Sequence, residues 1–172
     1  MNDGKVFEQS WKNSIPPDVY YLRIIDPAIG WGNDKENTGV RFAPKNPFDA
    51  LMYSYPNLFL MELKSTKGTS YSFTGKTPMI KKHQIEELTK AINYKGIVAG
   101  FVFNMRSVAK TYFLHIEDFN RFMVETEKKS INEKDIKNYG AIEVIGKLKK
   151  VKYGYYIGEF IEKCKNDEVI NG

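Results

Sequence analysis

Apolar positions recur along this chain with two periods, and the switches between them outline its elements. Gly4 to Ser14 carries Val6, Phe7 and Trp11 on or near one face, which predicts a short helix stopped by Pro16-Pro17. Tyr20–Ile25, Phe48–Tyr53 and Leu58–Thr66 read as strands, the last two joined by a turn at Tyr55-Pro56-Asn57. Thr69–Thr77 reads as a polar connection, and Pro78 suits the first position of a helix over Met79–Asn93. Ile80, Gln84, Leu88 and Ala91 form one stripe of that helix, with Ile85 and Ile92 beside it. Gly96–Phe103 is a nearly continuous apolar run, as a central strand buried on both faces requires. Thr111–Ile116 predicts another strand and Glu117–Glu125 an amphipathic helix. Ser130-x-x-Glu133 predicts a capping box opening a helix from Ile131 to Asn138. One or two short strands over 141–153 and a last helix over Tyr156–Lys163 complete the order. With neither repeats nor a linker, this predicts one domain, residues 1–172, of the α/β class: a mixed central sheet flanked by helices.

One segment has no periodicity. Residues 26–46 are rich in Gly, Pro, Asn and charge, and a loop of that length in a compact domain is usually functional or disordered. It sets Trp31 and Phe42 beside Lys35, Arg41 and Lys45, a mixture that suits stacking on nucleic acid or a surface insertion with Trp31 tucked onto the core.

Polar residues inside apolar elements carry the chemical signal. Glu62 and Lys64 stand two apart in the apolar run Leu58–Leu63, so both point to one side of a strand. Burying both charges is costly unless they are paired or bind a metal. Asp49, 13 residues before Glu62, supplies a second carboxylate. Two carboxylates and a lysine suit a hard divalent cation and a phosphodiester, although Glu-x-Lys is also common on strands that face water. Gln84 occupies a core-facing helical position, and a buried amide must find partners.

Composition narrows the classes. The net charge of +5 falls within residues 76–172, with clusters at Lys81-Lys82, Lys128-Lys129 and Lys147–Lys152, so a polyanionic partner fits. Arg106, just past the central strand, suits either a DNA contact or a structural ion pair. No apolar run reaches membrane-spanning length and no signal segment opens the chain. Cys164 is the single cysteine, so a reducing cytoplasm is the expected compartment. His83 and His115 lack further zinc ligands at suitable spacing.

The ordered set Gly4-Lys5-Val6-Phe7-Glu8, Asn46-Pro47-Phe48-Asp49, Glu62-Leu63-Lys64-Ser65, His83-Gln84-Ile85 and Lys129-Ser130-Ile131 resembles the RecU-type Holliday junction resolvases of the PD-(D/E)xK nuclease superfamily. The resemblance spans Gly4 to about Gly140. It implies a restriction-endonuclease-like αβββαβ core, with residues 26–46 at the place of a projecting stalk. It further implies Mg²⁺, with Mn²⁺ as a substitute, bound by Asp49, Glu62 and the Leu63 carbonyl. Lys64 would orient the water or stabilise charge, Gln84 would hold the water or phosphate, and Glu8 would line the site. Branched DNA is the implied substrate and a homodimer the implied assembly, with a recombinase or branch-migration helicase as a further partner, for a bacterial or phage-encoded protein associated with the nucleoid in the cytoplasm. Trp31, Lys35, Arg41, Lys45, Lys81, Lys82, Arg106 and Lys129 are the expected DNA contacts. Two alternatives share these residues: a repair or restriction endonuclease on the same core, and a DNA-binding recombination modulator without catalysis. The chain opens near the first core helix, without the N-terminal extension of many relatives, as compact phage-encoded members do.

Overall fold

The computed structural model describes residues 3–25, 45–149 and 152–171. Helix α1 (Asp3–Lys12) leads into an antiparallel meander of β1 (Tyr20–Arg23), β2 (Ala50–Ser54) and β3 (Asn57–Thr66). After β4 (Ser70–Ser72) and α2 (Lys82–Ala91) the chain enters β5 (Ile97–Met105), which lies parallel to β3. Strand β6 (Lys110–His115) returns antiparallel to β5, followed by α3 (Ile116–Glu125), β7 (Ser130–Asn132) and α4 (Glu133–Asn138). The remaining elements are β8 (Ile142–Glu143), a hairpin of β9 (Gly146–Lys149) and β10 (Lys152–Tyr155), and α5 (Ile157–Asn171). The main sheet has six strands in the order β1-β2-β3-β5-β6-β8, and two-stranded sheets form from β9–β10 and β4–β7. The expected mixed sheet flanked by helices, with its αβββαβ order, is thus present.

Both faces of the sheet are covered, and that explains its composition. Phe59, Met61, Leu63, Val98 and Val102 pack with Phe7 and Trp11 of α1 and with Ile157, Phe160 and Ile161 of α5. Leu60, Ala99, Phe101 and Phe103 face the other way, onto Leu88 of α2 and Phe119 and Phe122 of α3. Strands β3 and β5 therefore alternate between two buried layers, and each reads as a continuous apolar run.

Three local expectations are corrected. Ser130 and Ile131 do not open a helix: they pair with Ser72 and Tyr71 as strand β7. The cap moves to Asn132, whose side chain accepts from the Asp135 N–H at 3.0 Å, while Asp135 accepts from the Asn132 N–H at 3.3 Å. The same chemistry is used two residues later, because the β4–β7 ladder satisfies the backbone of Ser130 and Ile131. The connection over Thr69–Thr77 is correspondingly not irregular throughout, since it contributes β4. Pro78 precedes α2 by a full turn instead of opening it, because the backbone N–H of Ile80 bonds to the Ser72 carbonyl.

Candidate active site

The site forms where the sheet opens. Strands β2 and β3 pair as far as Ala50 opposite Met61, and Asp49 is the next residue outward. From Glu62 to Thr66, β3 is paired with β5 and not with β2. At this fork the Asp49 N–H donates to the Met61 carbonyl at 3.1 Å, and the Leu63 N–H donates to Asp49 Oδ2 at 2.9 Å. Asp49 is thereby locked beside the open edge of β3 by main-chain bonds.

Glu62 is 2% exposed and lies on the α2 side of the sheet. Its Oε1 accepts from Gln84 Nε2 at 2.5 Å and pairs with Lys64 Nζ at 2.9 Å. Gln84 is held in turn, since its Oε1 accepts from the Lys81 N–H at 2.9 Å at the start of α2. The core-facing polarity of Gln84 thus has a local cause: the amide ties the helix N-terminus to the buried carboxylate. The other carboxylate oxygen, Glu62 Oε2, is buried and has no hydrogen-bond partner among the described residues. Burial pushes the Glu62 carboxyl up to about 7; Lys64 opposes the shift and the nearby Asp49 adds to it.

Arg23 belongs to the same group and escaped the sequence reading. Its guanidinium bonds Glu8 Oε2 through Nη2 (2.9 Å) and Nε (3.2 Å), and reaches Asp49 Oδ1 (3.1 Å) and the Asp49 carbonyl (2.6 Å) through Nη1. Burial alone would lower its pKa, but Asp49 and Glu8 together raise it. Glu8 therefore reaches the site through Arg23. A cation two positions after Tyr21 in an otherwise apolar strand was the available signal, by the reasoning that singled out Glu62.

Most of the expected DNA contacts fall into separate places. Trp31, Lys35 and Arg41 lie outside the described residues. Lys45 and Lys81 are exposed near the site and, after burial, are the main reason the His83 imidazole is held below its ordinary pKa, with Lys64 adding to the effect. Lys82 pairs with Glu86 at the surface, 3.3 Å apart. Lys129 is exposed in the loop before β7, and its carbonyl accepts from the Phe73 N–H. Arg106 is half-buried past the end of β5, and its N–H bonds the Thr66 carbonyl at 2.9 Å. His115 is the N-cap of α3, its Nδ1 accepting weakly from the Glu117 N–H at 3.4 Å.

Among the described residues no group of three or more His, Cys, Asp or Glu side chains is arranged to hold a metal. Two carboxylates nevertheless fit Mg²⁺, which keeps several waters and takes one or two protein carboxylates. The orphaned Glu62 Oε2 is an acceptor that such a cation would satisfy.

The fork of the third strand brings two carboxylates and a lysine together, and the family match that follows makes the protein a PD-(D/E)xK-type nuclease that acts on DNA. The profile of the RecU family, Recombination protein U, matches residues 57–158, and the chain belongs to that family, whose members form a metal-dependent nuclease class. It is 35% identical over 180 residues to the SPbeta prophage-derived uncharacterized protein YotM of Bacillus subtilis strain 168, covering 94% of this chain and 88% of that protein. A solved structure of Archaeoglobus fulgidus Hjc, a Holliday junction resolvase, covers 81% of this chain and 90% of its own at 17% identity, with a TM-score of 0.47. Among the described residues no helix is long and apolar enough to cross a membrane.

Proposed function

We propose that this chain is a Mg²⁺-dependent endodeoxyribonuclease that resolves four-way DNA junctions by paired symmetric nicks. The observation that carries the reading is the buried Glu62, with one oxygen held by Gln84 and Lys64 and the other unsatisfied beside Asp49. Asp49 and Glu62 would hold the cation. In a strand the N–H and C=O of one residue point to the same edge, so the Leu63 carbonyl faces Asp49 and is a third oxygen donor. When bound, Mg²⁺ or Mn²⁺ supplies Lewis-acid stabilisation and a lower pKa for the attacking water.

The protein's own groups do the rest. Lys64, its side chain 14% exposed, places a positive charge next to the carboxylate where a phosphate would dock. Gln84 fixes the rotamer of Glu62 and keeps one oxygen occupied. Arg23 holds Asp49 and Glu8 apart from free rotation. Two matching cuts in a symmetric junction need two sites related by a two-fold axis, so a homodimer is the natural form. The 26–46 segment, with its aromatic and basic residues, would enter the branch point, and a recombinase or branch-migration helicase would supply the substrate.

The test is cleavage of a labelled mobile four-way junction in Mg²⁺, using wild type and Asp49→Asn with a linear duplex as control. Symmetric nicks confined to the junction and lost in the variant support the proposal. Equal cutting of duplex points to a general endonuclease, and junction binding without any cleavage to a recombination modulator.

A further inference from the structure

The first turn of α2 carries a polar side chain that the chemistry above does not use. His83 is half-buried and precedes Gln84 directly. That turn is fixed from two sides. Gln84 Nε2 holds it to Glu62 Oε1 at 2.5 Å, and Gln84 Oε1 accepts from the Lys81 N–H at 2.9 Å. The segment just before it is pinned to β4, where the Met79 N–H donates to Ser72 Oγ at 3.2 Å and the Ile80 N–H to the Ser72 carbonyl at 2.9 Å. Lys45 comes in from the fork of β2 and β3. It stands three residues before Phe48, which packs into the layer beneath α2, and four before Asp49, which main-chain bonds lock in place. His83, Lys45 and Lys81 therefore gather on the face of the sheet that carries Glu62 and Lys64.

Three ammonium groups act on the His83 imidazole. After burial, Lys45, Lys81 and Lys64 in that order hold it below its ordinary pKa, with Glu86 opposing. The carboxylates of the fork are already engaged, Glu62 by Lys64 at 2.9 Å and Asp49 by Arg23 at 3.1 Å, and Lys82 pairs with Glu86 at 3.3 Å. Lys45 and Lys81 are exposed, and among the described residues neither pairs with a carboxylate. Like charges gathered in this way repel, and an anion entering between them would relieve the repulsion. The neutral imidazole adds a hydrogen-bond donor there without adding a fourth charge.

We infer that His83, Lys45 and Lys81 form a second phosphate subsite beside Lys64, in which the His83 ring N–H donates to an oxygen of the phosphate next to the scissile one. The inference rests on the nuclease reading for the identity of that anion as DNA. Successive phosphates of one strand are separated by about 3.4 Å of rise, so a strand whose scissile phosphate lies at Glu62 and Lys64 carries its next phosphate close by. The start of α2 is within that reach, because a single glutamine side chain spans the gap from Glu62 to it. Such contacts hold the backbone and set the register of the cut, and they read no base.

The test uses the full chain as wild type, His83→Ala, His83→Gln and the double variant Lys45→Gln/Lys81→Gln. The chain has 2 histidines, so the ring signals of His83 are separable by NMR, with His115 at the cap of α3 as internal control. In EDTA, a short single-stranded oligonucleotide is expected to move the His83 signals of wild type and leave those of His115 in place. In Mg²⁺, His83→Ala should lose about tenfold or more in kcat/KM on a labelled four-way junction, and His83→Gln should restore most of it through its amide donor. The double lysine variant should lose about 1–2 from the slope of log K against log salt, at roughly 0.7–0.9 per phosphate contact, while His83→Ala keeps the slope because the imidazole is neutral. Should His83→Ala fail to fold, the wild-type spectra and the His83→Gln variant decide. DNA binding that leaves the His83 signals unmoved, or an active His83→Ala with wild-type kcat/KM, overturns the inference and leaves the nuclease reading intact. Signals that respond to inorganic phosphate and not to the oligonucleotide mark a free-anion site and also overturn it. Wild type whose His83 signals respond to DNA but which never cuts keeps the inference and removes the nuclease reading. Wild type that binds no DNA overturns both.

Discussion

Glu62 should make the metal-free protein less stable as pH rises through neutrality, which is unusual for a carboxylate that has an ion-pair partner. Its carboxyl is pushed from the ordinary 4.5 to about 7, first by burial, with Lys64 opposing and Asp49 adding. Between those values the unfolded chain has released the proton and the native state still holds it. The unfolded state then binds fewer protons, so stability falls with pH. The loss begins near pH 4.5, is complete above about pH 7, and is level beyond. A shift of 2.5 units corresponds to about 3 kcal/mol, and with 2% exposure solvent does not screen it away. For a domain of this size that is roughly 6–12 °C in Tm. The assay is thermal or urea unfolding in EDTA from pH 4.5 to 8, comparing wild type with Glu62→Gln. The variant leaves Lys64 without its counter-ion, so its absolute stability is not the readout. Its pH dependence is: the wild-type curve should fall about 3 kcal/mol more than the variant curve between pH 4.5 and 7. Mg²⁺ needs ionised carboxylates, so it should raise the wild-type Tm more at pH 8 than at pH 5. Parallel curves for the two proteins, or a Mg²⁺ effect independent of pH, would refute the account of Glu62.

Gln84→Ala removes the 2.5 Å donor to Glu62 and leaves that buried oxygen to Lys64, which should cost about 1–3 kcal/mol in urea unfolding and move the acid limb of the cleavage profile to higher pH. Arg23→Gln breaks a clamp on two carboxylates; we expect about 2 kcal/mol of destabilisation and weaker cleavage, with Arg23→Lys rescuing little because an ammonium cannot span Glu8 and Asp49 as a guanidinium fork does. Gly100→Ala would set a methyl group against the Leu114 carbonyl and 2.9 Å from the Phe113 ring in the middle of the sheet, so a loss of about 3 kcal/mol or failure to fold is expected by circular dichroism. Asp49→Asn keeps the acceptor for the Leu63 N–H but loses the Arg23 ion pair, so it should fold with a modest loss of stability and retain junction binding in EDTA while cleavage drops by about a hundredfold or more.

The sheet and most of the site were legible one residue at a time. Burial on two faces makes β3 and β5 continuous apolar runs, and burial on one face stripes α2, so period and composition point to the αβββαβ order without any coordinates. Glu62, Lys64 and Gln84 announced themselves as polar groups where water is excluded. Tertiary structure decided whatever depends on pairing between distant segments. Ser130 has a good local cap signature, yet the β4–β7 ladder claims its backbone; Arg23 looks like any strand arginine until Glu8 and Asp49 arrive from α1 and the β2–β3 fork. Gly146–Lys149 and Lys152–Tyr155 likewise became a pair of strands only through their antiparallel register and the aromatic packing around Tyr155. Hydrophobic periodicity is a property of a single segment and survives in the bare sequence. Hydrogen-bond and ion-pair partners are set by which segments the fold brings together, so the sequence reveals the groups that need a partner and the structure chooses the partner.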